Sequence, residues 1–582
     1  MARRSSESTG KLRLGSMPEQ CKLNFVLALS NAMDRQLCSP LRPIASAHRD
    51  SEVIVAADRQ ILTAPDAAET GMPPGIPYIV TNELAERFSF YGMKCILTIF
   101  MTRYLVVSVT SDGVVNHLAD NDAKGVYHLF TAGAYFFPML GAIIADVYWG
   151  KYKTILWISL MYCVGHGLLA MMDFGPETSM VPFFYGGLIL IAIGAGGIKP
   201  CVSAHVGDQF GLGNKHLLTK VFNWFYFSIN LGAAISTLLT PILLEQLGPW
   251  AAFGLPGVLM AIATFLFWIG RHTFVHVPPS GWAKFRAETF SSDGVRALKN
   301  LAPLFLVFVP VFWAIFDQTG SAWVLQSESM NRNFLGFTWL EAQVQLVNPV
   351  LILTLIPVFT YYVYPAMGKL FDPTPLRKIG IGFIMTAAAF TVSALIEMTI
   401  EQKNEDTVSA IVADVSDTLP SVQDSLSAEA LASVQALVAD PPEKVSSVVK
   451  ELRLAQWDAE KLGSYVADMP SIGWQFFAYL LLTSGEVLVS IVCLEFAYTQ
   501  SPPRMKSFIM GVYFLGVSFG NLAVSALNFL LEAFKRDDGT TPLDGSTYYW
   551  FFVGMMLFTL VIYIFFAMRY KGETFIQGET SS

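Results

Sequence analysis

The chain is poor in charge. Only 14% of its 582 residues are Asp, Glu, Lys or Arg, against 53% that are hydrophobic. A soluble chain of this length divides into several domains and carries a larger charged share. The composition therefore excludes a soluble multidomain protein and, with 44 Phe and 12 Trp, points to a polytopic membrane protein. Cysteine is scarce as well: six, scattered, none of them in the longest polar loop. That excludes a disulfide framework and a cysteine metal site. No Asn-x-Ser/Thr tripeptide occurs, so glycosylation gives no marker of an outside loop. A phosphate loop, a nucleophile elbow and a metal-ligand cluster are all missing. The expectation is a non-enzyme without cofactor, metal or nucleic-acid partner.

What is present is a series of twelve apolar segments of spanning length. They cover about 77–106, 124–146, 153–173, 181–204, 220–244, 250–270, 301–327, 340–365, 377–399, 471–499, 506–532 and 547–569. Lys and Arg gather in alternate short loops: Lys151 and Lys153; Lys215 and Lys220; Arg271 to Lys299; Lys369, Arg377 and Lys378; Arg504 and Lys506. The positive-inside rule places those loops and both termini in the cytosol. The expected organisation is an all-α integral membrane protein of two six-helix bundles. A cytosolic tail (1–76) precedes a first bundle (77–270) and a cytosolic linker (271–300). Three helices of the second bundle (301–399) follow, then an extracytosolic acidic insert (400–470), three more helices (471–569) and a cytosolic tail (570–582). The insert has apolar residues at helical spacing broken by Pro441 and Pro442, and reads as either a small helical hairpin or a tether. The amino tail begins "MARRSSESTGKLRLGS"; a disordered cytosolic tail is the expectation, with a transit peptide as the alternative.

Within the first segment, "NELAERFSFYGMK" places Glu83, Glu86, Arg87, Phe90, Tyr91 and Lys94 at intervals of three or four. That is one face of one helix. Four charges at mid-bilayer would cost about 10 kcal/mol if they simply summed, so this face lines an interior cavity and its charges partner one another.

Six plus six helices resemble the major facilitator architecture. "GAIIADVYWGKYKT" resembles that superfamily's cytosolic motif, in which Asp146 and the bases Lys151 and Lys153 clamp neighbouring helices. "ELAERFSFYG" resembles the first-helix signature of the proton-coupled oligopeptide transporter family. The likeness continues through "YHLFTAGAYFFPMLGAIIADVYWGKYKTI", "GAGGIKPCVSAHVGDQF", "FNWFYFSINLGA", "FWAIFDQTGSAWVLQ" and "GEVLVSIVCLEFAYTQSPPRMKS". The amino tail and residues 400–470 lie outside it.

A carrier that accepts many short peptides reads what they share, an amine and a carboxylate about 3.5 Å per residue apart. The candidate cations are Arg87 and Lys199 in the first half; the candidate anion is Glu486 in the second. The resemblance implies that Tyr91, Tyr135, Asn230, Trp323 and Asn348 line the pocket, with plain helix packing as the competing reading for any one aromatic. Candidates for proton coupling are Glu83, Glu86 and His128, the last placed by resemblance to the animal-type branch. A buried Lys199–Glu486 pair and a Lys94–Asp317 pair are expected as gates; losing one partner of such a pair costs about 3–5 kcal/mol. The family often has Arg where Lys94 stands, Phe90 replaces a tyrosine, and His205 replaces an aromatic residue. Glu495 is read as a gate or cap residue near the cytosolic end. The expected function is a proton-driven symporter importing di- and tripeptides by alternating access, at the plasma membrane, a monomer sufficing. The alternative is nitrate or another small metabolite, which Glu486 disfavours by repelling anions.

Overall fold

The computed structural model describes residues 61–66, 68–110, 115–174, 180–501, 506–536 and 539–570. Most of the amino tail, the carboxyl tail beyond Tyr570 and Arg504 lie outside the described residues.

Among the described residues, eleven helices are long and apolar enough to cross a bilayer. A further helix, α1 (Ile76–Arg103), has 28 residues, and its charged face alone separates it from that set. Pro77 occupies its first turn, where a missing N–H costs nothing. The first bundle continues with α2 (Asp120–Trp149), α3 (Lys151–Phe174), α4 (Met180–Asp208), α5 (Lys215–Leu247) and α6 (Pro249–His272). A short linker helix, Trp282–Thr289, leads to the second bundle. There α7 (Ser292–Glu328) and α8 (Glu341–Leu370) precede α9 (Pro375–Val422). After the insert come α13 (Gly473–Ala497), α14 (Lys506–Ala533) and α15 (Ser546–Arg569).

The insert is folded. The Thr374 hydroxyl accepts from Arg377 N at the start of α9, Pro375 follows, and the helix then runs 48 residues to Val422. The expected span stopped at 399. The helix continues because Val408, Ile411 and Val415 recur at helical spacing and find a partner: all three are buried against the insert. Three shorter helices complete it, α10 (Ala428–Ala439), α11 (Val445–Leu454) and α12 (Ala459–Tyr465). Their buried Val434, Leu437, Val448 and Leu452 extend the apolar core of the second bundle. The first bundle has its own core, around Phe100, Phe184, Phe253 and Ile198.

Small residues let helices approach. A Cβ on Gly141 of α2 would collide with the Gly197 carbonyl oxygen of α4. Across the bundle seam, Ser518 and Ser525 of α14 donate to the carbonyls of Ala132 and Gly125 of α2, both at 2.8 Å. The side of the molecule bearing the 149–151, 209–217 and 270–290 turns is called near below, and the side bearing 104–119, 329–340 and the insert is called far.

Candidate functional site

The charged face of α1 forms as the spacing predicts. Arg87 Nε lies 2.7 Å from Glu83 Oε1 and 2.9 Å from Glu86 Oε2, with all three side chains buried. Among the described residues, Glu83 Oε2 and both Glu86 oxygens find no hydrogen-bond partner, Glu86 Oε2 having only its ion pair with Arg87, and the Asn82 amide finds none either. Buried acceptors of this kind suit a proton or a ligand donor.

Lys199 enters from α4. Its Nζ lies over the rings of Phe90 and Tyr135, at 4.1 and 4.3 Å from their centroids. It forms no ion pair among the described residues. The expected Lys199–Glu486 bridge is absent. Instead Glu486 of α13 accepts from the Asn348 amide of α8 at 2.7 Å, and that amide also donates to Thr483 at 3.1 Å. The physical reason is division between bundles: Lys199 is held by aromatics of the first, Glu486 by an amide of the second. A π turn begins immediately after Glu486 and reaims the helix there. Tyr91 and Tyr226 of the first bundle are close enough to Glu486 to interact with its charge. Asn230 donates to the Tyr226 carbonyl one turn back, at 3.0 Å.

Tyr135 reaches across the seam to the rings of Trp313 and Phe514 at 6.3 and 6.1 Å. Trp313 Nε1 donates to Tyr513. Trp323, expected to line the pocket, is instead fully buried and packed on Phe390 and Tyr479 inside the second bundle. Ten residues separate the two tryptophans, and the intervening turn at Asp317–Gly320 alters the helix phase that a straight reading assumes.

Towards the far side the seam closes on a buried polar chain. Lys94 Nζ binds Asp317 Oδ1 at 2.8 Å, as the sequence predicts. The Asn521 amide of α14 donates to Asp317 Oδ2 at 2.8 Å and to its own helix at Val517 O. Asn521 Oδ1 lies 2.8 Å from His128 Nδ1, and Ser321 Oγ lies 2.9 Å from His128 Nε2. With its amide nitrogen turned to two acceptors, Asn521 presents oxygen to the imidazole, so His128 Nδ1 carries a hydrogen. Neutral His128 then accepts at Nε2 from the Ser321 hydroxyl. Thr98 donates to the Gly320 carbonyl at 2.7 Å beside this chain. Asn521 and Ser321 were missed in the sequence. The signal was there: Ser518, Asn521, Ser525 and Asn528 form a buried polar stripe on α14 at helical spacing.

Three other expectations resolve locally. Lys151 binds Asp208 at the end of α4, at 2.8 Å, rather than Asp146, whose backbone carbonyl accepts from Ser280. His205 meets the rings of Phe267 and Phe274 edge-on in the first bundle. Glu495 is exposed on the near half of α13. Among the described residues, no group of three His, Cys, Asp or Glu side chains is placed to hold a metal.

Two helical bundles around a shared seam, with opposite charges on facing walls and ion pairs at one end, define the class: a polytopic membrane carrier of the major facilitator kind. The POT family model matches residues 152–291, 282–469 and 446–551. The chain is 30% identical over 673 residues to peptide transporter family 1 of Drosophila melanogaster, covering 86% of this chain and 88% of that protein. It is 35% identical over 382 residues to human solute carrier family 15 member 2. That match covers 58% of this chain and 51% of the human protein, so the chain matches only about half the length of this relative. A crystal structure of an auto-inhibited POT family peptide transporter superposes with TM-score 0.66 at 30% identity, covering 88% of this chain and 99% of that one. The chain belongs to the POT family.

Proposed function

We propose that the chain is a proton-coupled symporter that imports di- and tripeptides by alternating access, with no enzymatic step. The observation that carries this reading, beyond the similarity to proteins named as peptide transporters, is the division of charge. Arg87 and Lys199 stand on one bundle and Glu486 on the other. A zwitterion bridges them, its carboxylate toward the cations and its amine toward Glu486. Tyr91, Tyr135, Asn230, Asn348 and Trp313 flank that path. Nitrate offers no group to Glu486, which would repel it.

The near side is the cytosol, both termini lie there, and the host is the plasma membrane; the Lys/Arg asymmetry supports this orientation. In this reading the far half of the seam is the outer gate, here closed; the Lys94–Asp317 pair that joins the two bundles there supports it. Coupling works through His128. A second proton enters at Nε2, Ser321 turns from donor to acceptor, and the new positive charge competes with Lys94 for Asp317 through Asn521. Glu83 and Glu86 are the other candidates for proton coupling, and their charge balances Arg87.

The test is uptake of a labelled dipeptide into proteoliposomes, with and without an inward acid gradient, beside labelled nitrate. Gradient-stimulated dipeptide uptake is the expected result. Nitrate uptake in its place refutes the peptide assignment.

A further inference from the structure

A second ion cluster lies beyond Lys94 on the far side, and the insert reaches into it. Glu341 Oε1 faces guanidinium nitrogens from three parts of the fold: Arg103 of α1 at 3.1 Å, Arg332 at 3.1 Å and Arg453 of α11 at 2.8 Å. Arg103 also binds Glu328 at 2.7 Å. Glu341, Glu328 and Arg103 are buried. One carboxylate oxygen has too few lone pairs to satisfy three donors well, so the arginines compete, and Arg453 holds the shortest contact. Arg332, Arg453 and both glutamates belong to the second bundle and its insert; Arg103 alone belongs to the first bundle. The insert does not grip that bundle tightly. α11 is tied by Arg453 to Glu341 and by Glu451 to Ser433, and it meets α1 and α5 across a cavity of about 380 Å³.

Opening the far side must draw Arg103 away from Glu341. Withdrawing a cation from a buried carboxylate is penalised, and the penalty is smaller the better the remaining cations, here Arg332 and Arg453, hold its charge. We propose that Arg453 is a positioning residue for transport, a substitute counter-ion that keeps Glu341 paired while Arg103 leaves and so makes far-side opening easier. The insert then acts on gating by lending one charge rather than by blocking the entrance. This rests on the alternating-access reading above.

The experiment uses the full chain in proteoliposomes, with Ile99→Cys on α1 as the only cysteine and a membrane-impermeant maleimide added from the far side. Arg453→Gln leaves Arg103 as the main partner of Glu341 together with Arg332. Labelling should slow about fivefold or more, and gradient-driven dipeptide uptake should fall by a similar factor. Arg453→Lys should restore both, which a packing role would not produce. Arg332→Gln, on the other flank of Glu341, should act in the same direction and serves if R453Q does not fold. Faster labelling in R453Q overturns the proposal, since the insert would then be a clamp. Unchanged labelling with normal dipeptide uptake overturns it too, while leaving the transport reading intact. A parent protein that labels but carries no dipeptide defeats the transport reading itself.

Discussion

Asn521 joins His128 to Asp317, its carbonyl oxygen 2.8 Å from the imidazole and its amide nitrogen 2.8 Å from the carboxylate. The amide has a direction, so the link has one: hydrogen on the imidazole side, negative charge on the other. The carboxylate at the far end of this link also holds Lys94 on the opposite bundle, so under the proposed coupling a proton on His128 would be felt at that ion pair.

Asn521→Leu should break this link without altering either side chain that it joins. It strands the His128 Nδ1–H and one Asp317 oxygen, at about 1–3 kcal/mol each. Gradient stimulation of dipeptide uptake should drop about tenfold or more, while gradient-free dipeptide exchange survives. Equal loss of uptake and exchange would mean Asn521 serves folding alone.

Glu486→Gln keeps an oxygen for Asn348 and removes the charge. A hydrogen bond to a charged group is worth about 1.5–3 kcal/mol. The KM for dipeptides with a free amine should therefore rise about tenfold or more, and N-acetylated dipeptides should be nearly indifferent to the change. Parallel losses for both ligand types would remove Glu486 from amine recognition. The measurement is a pair of uptake isotherms in proteoliposomes.

The two tryptophans of α7 should separate cleanly. Trp313→Ala should weaken dipeptide affinity as well as costing some stability, because Trp313 is buried at the seam beside Tyr135. Trp323→Ala should cost about 3–5 kcal/mol of stability by emptying a core site, seen as a lower melting temperature in detergent. The reverse pattern would return Trp323 to the pocket.

Much of this was legible in the sequence for a physical reason: charge is so costly in lipid that Glu83, Glu86, Arg87, Lys199 and Glu486 each announce a cavity. The Lys94–Asp317 pair was legible on the same ground. What escaped were features that depend on helix phase and on partner choice. The turn at Asp317 shifts the register of α7, so Trp323 points away from where an unbroken helix would send it, and the π turn after Glu486 does the same to α13. Lys199 was expected to choose Glu486, yet aromatic faces hold it, and cation–π contact leaves no mark in residue spacing. Asn521 is neutral and was passed over among charges, although its stripe with Ser518 and Ser525 was readable. The insert was ambiguous because Val408, Ile411 and Val415 say helix without saying what they pack against.

The unbroken run of α9 has a mechanical meaning. Its 48 residues extend about 72 Å at 1.5 Å each, and a bilayer core takes up about 30 Å of that. The remaining length is a rigid lever arm fused to one bundle and buttressed by the insert. When that bundle rocks about the membrane midplane, the tip near Val422 sweeps roughly three to four times the arc of a residue at the lipid surface. The protein thus carries its own pointer, in which sub-nanometre motions of the seam become displacements large enough to follow on a single molecule.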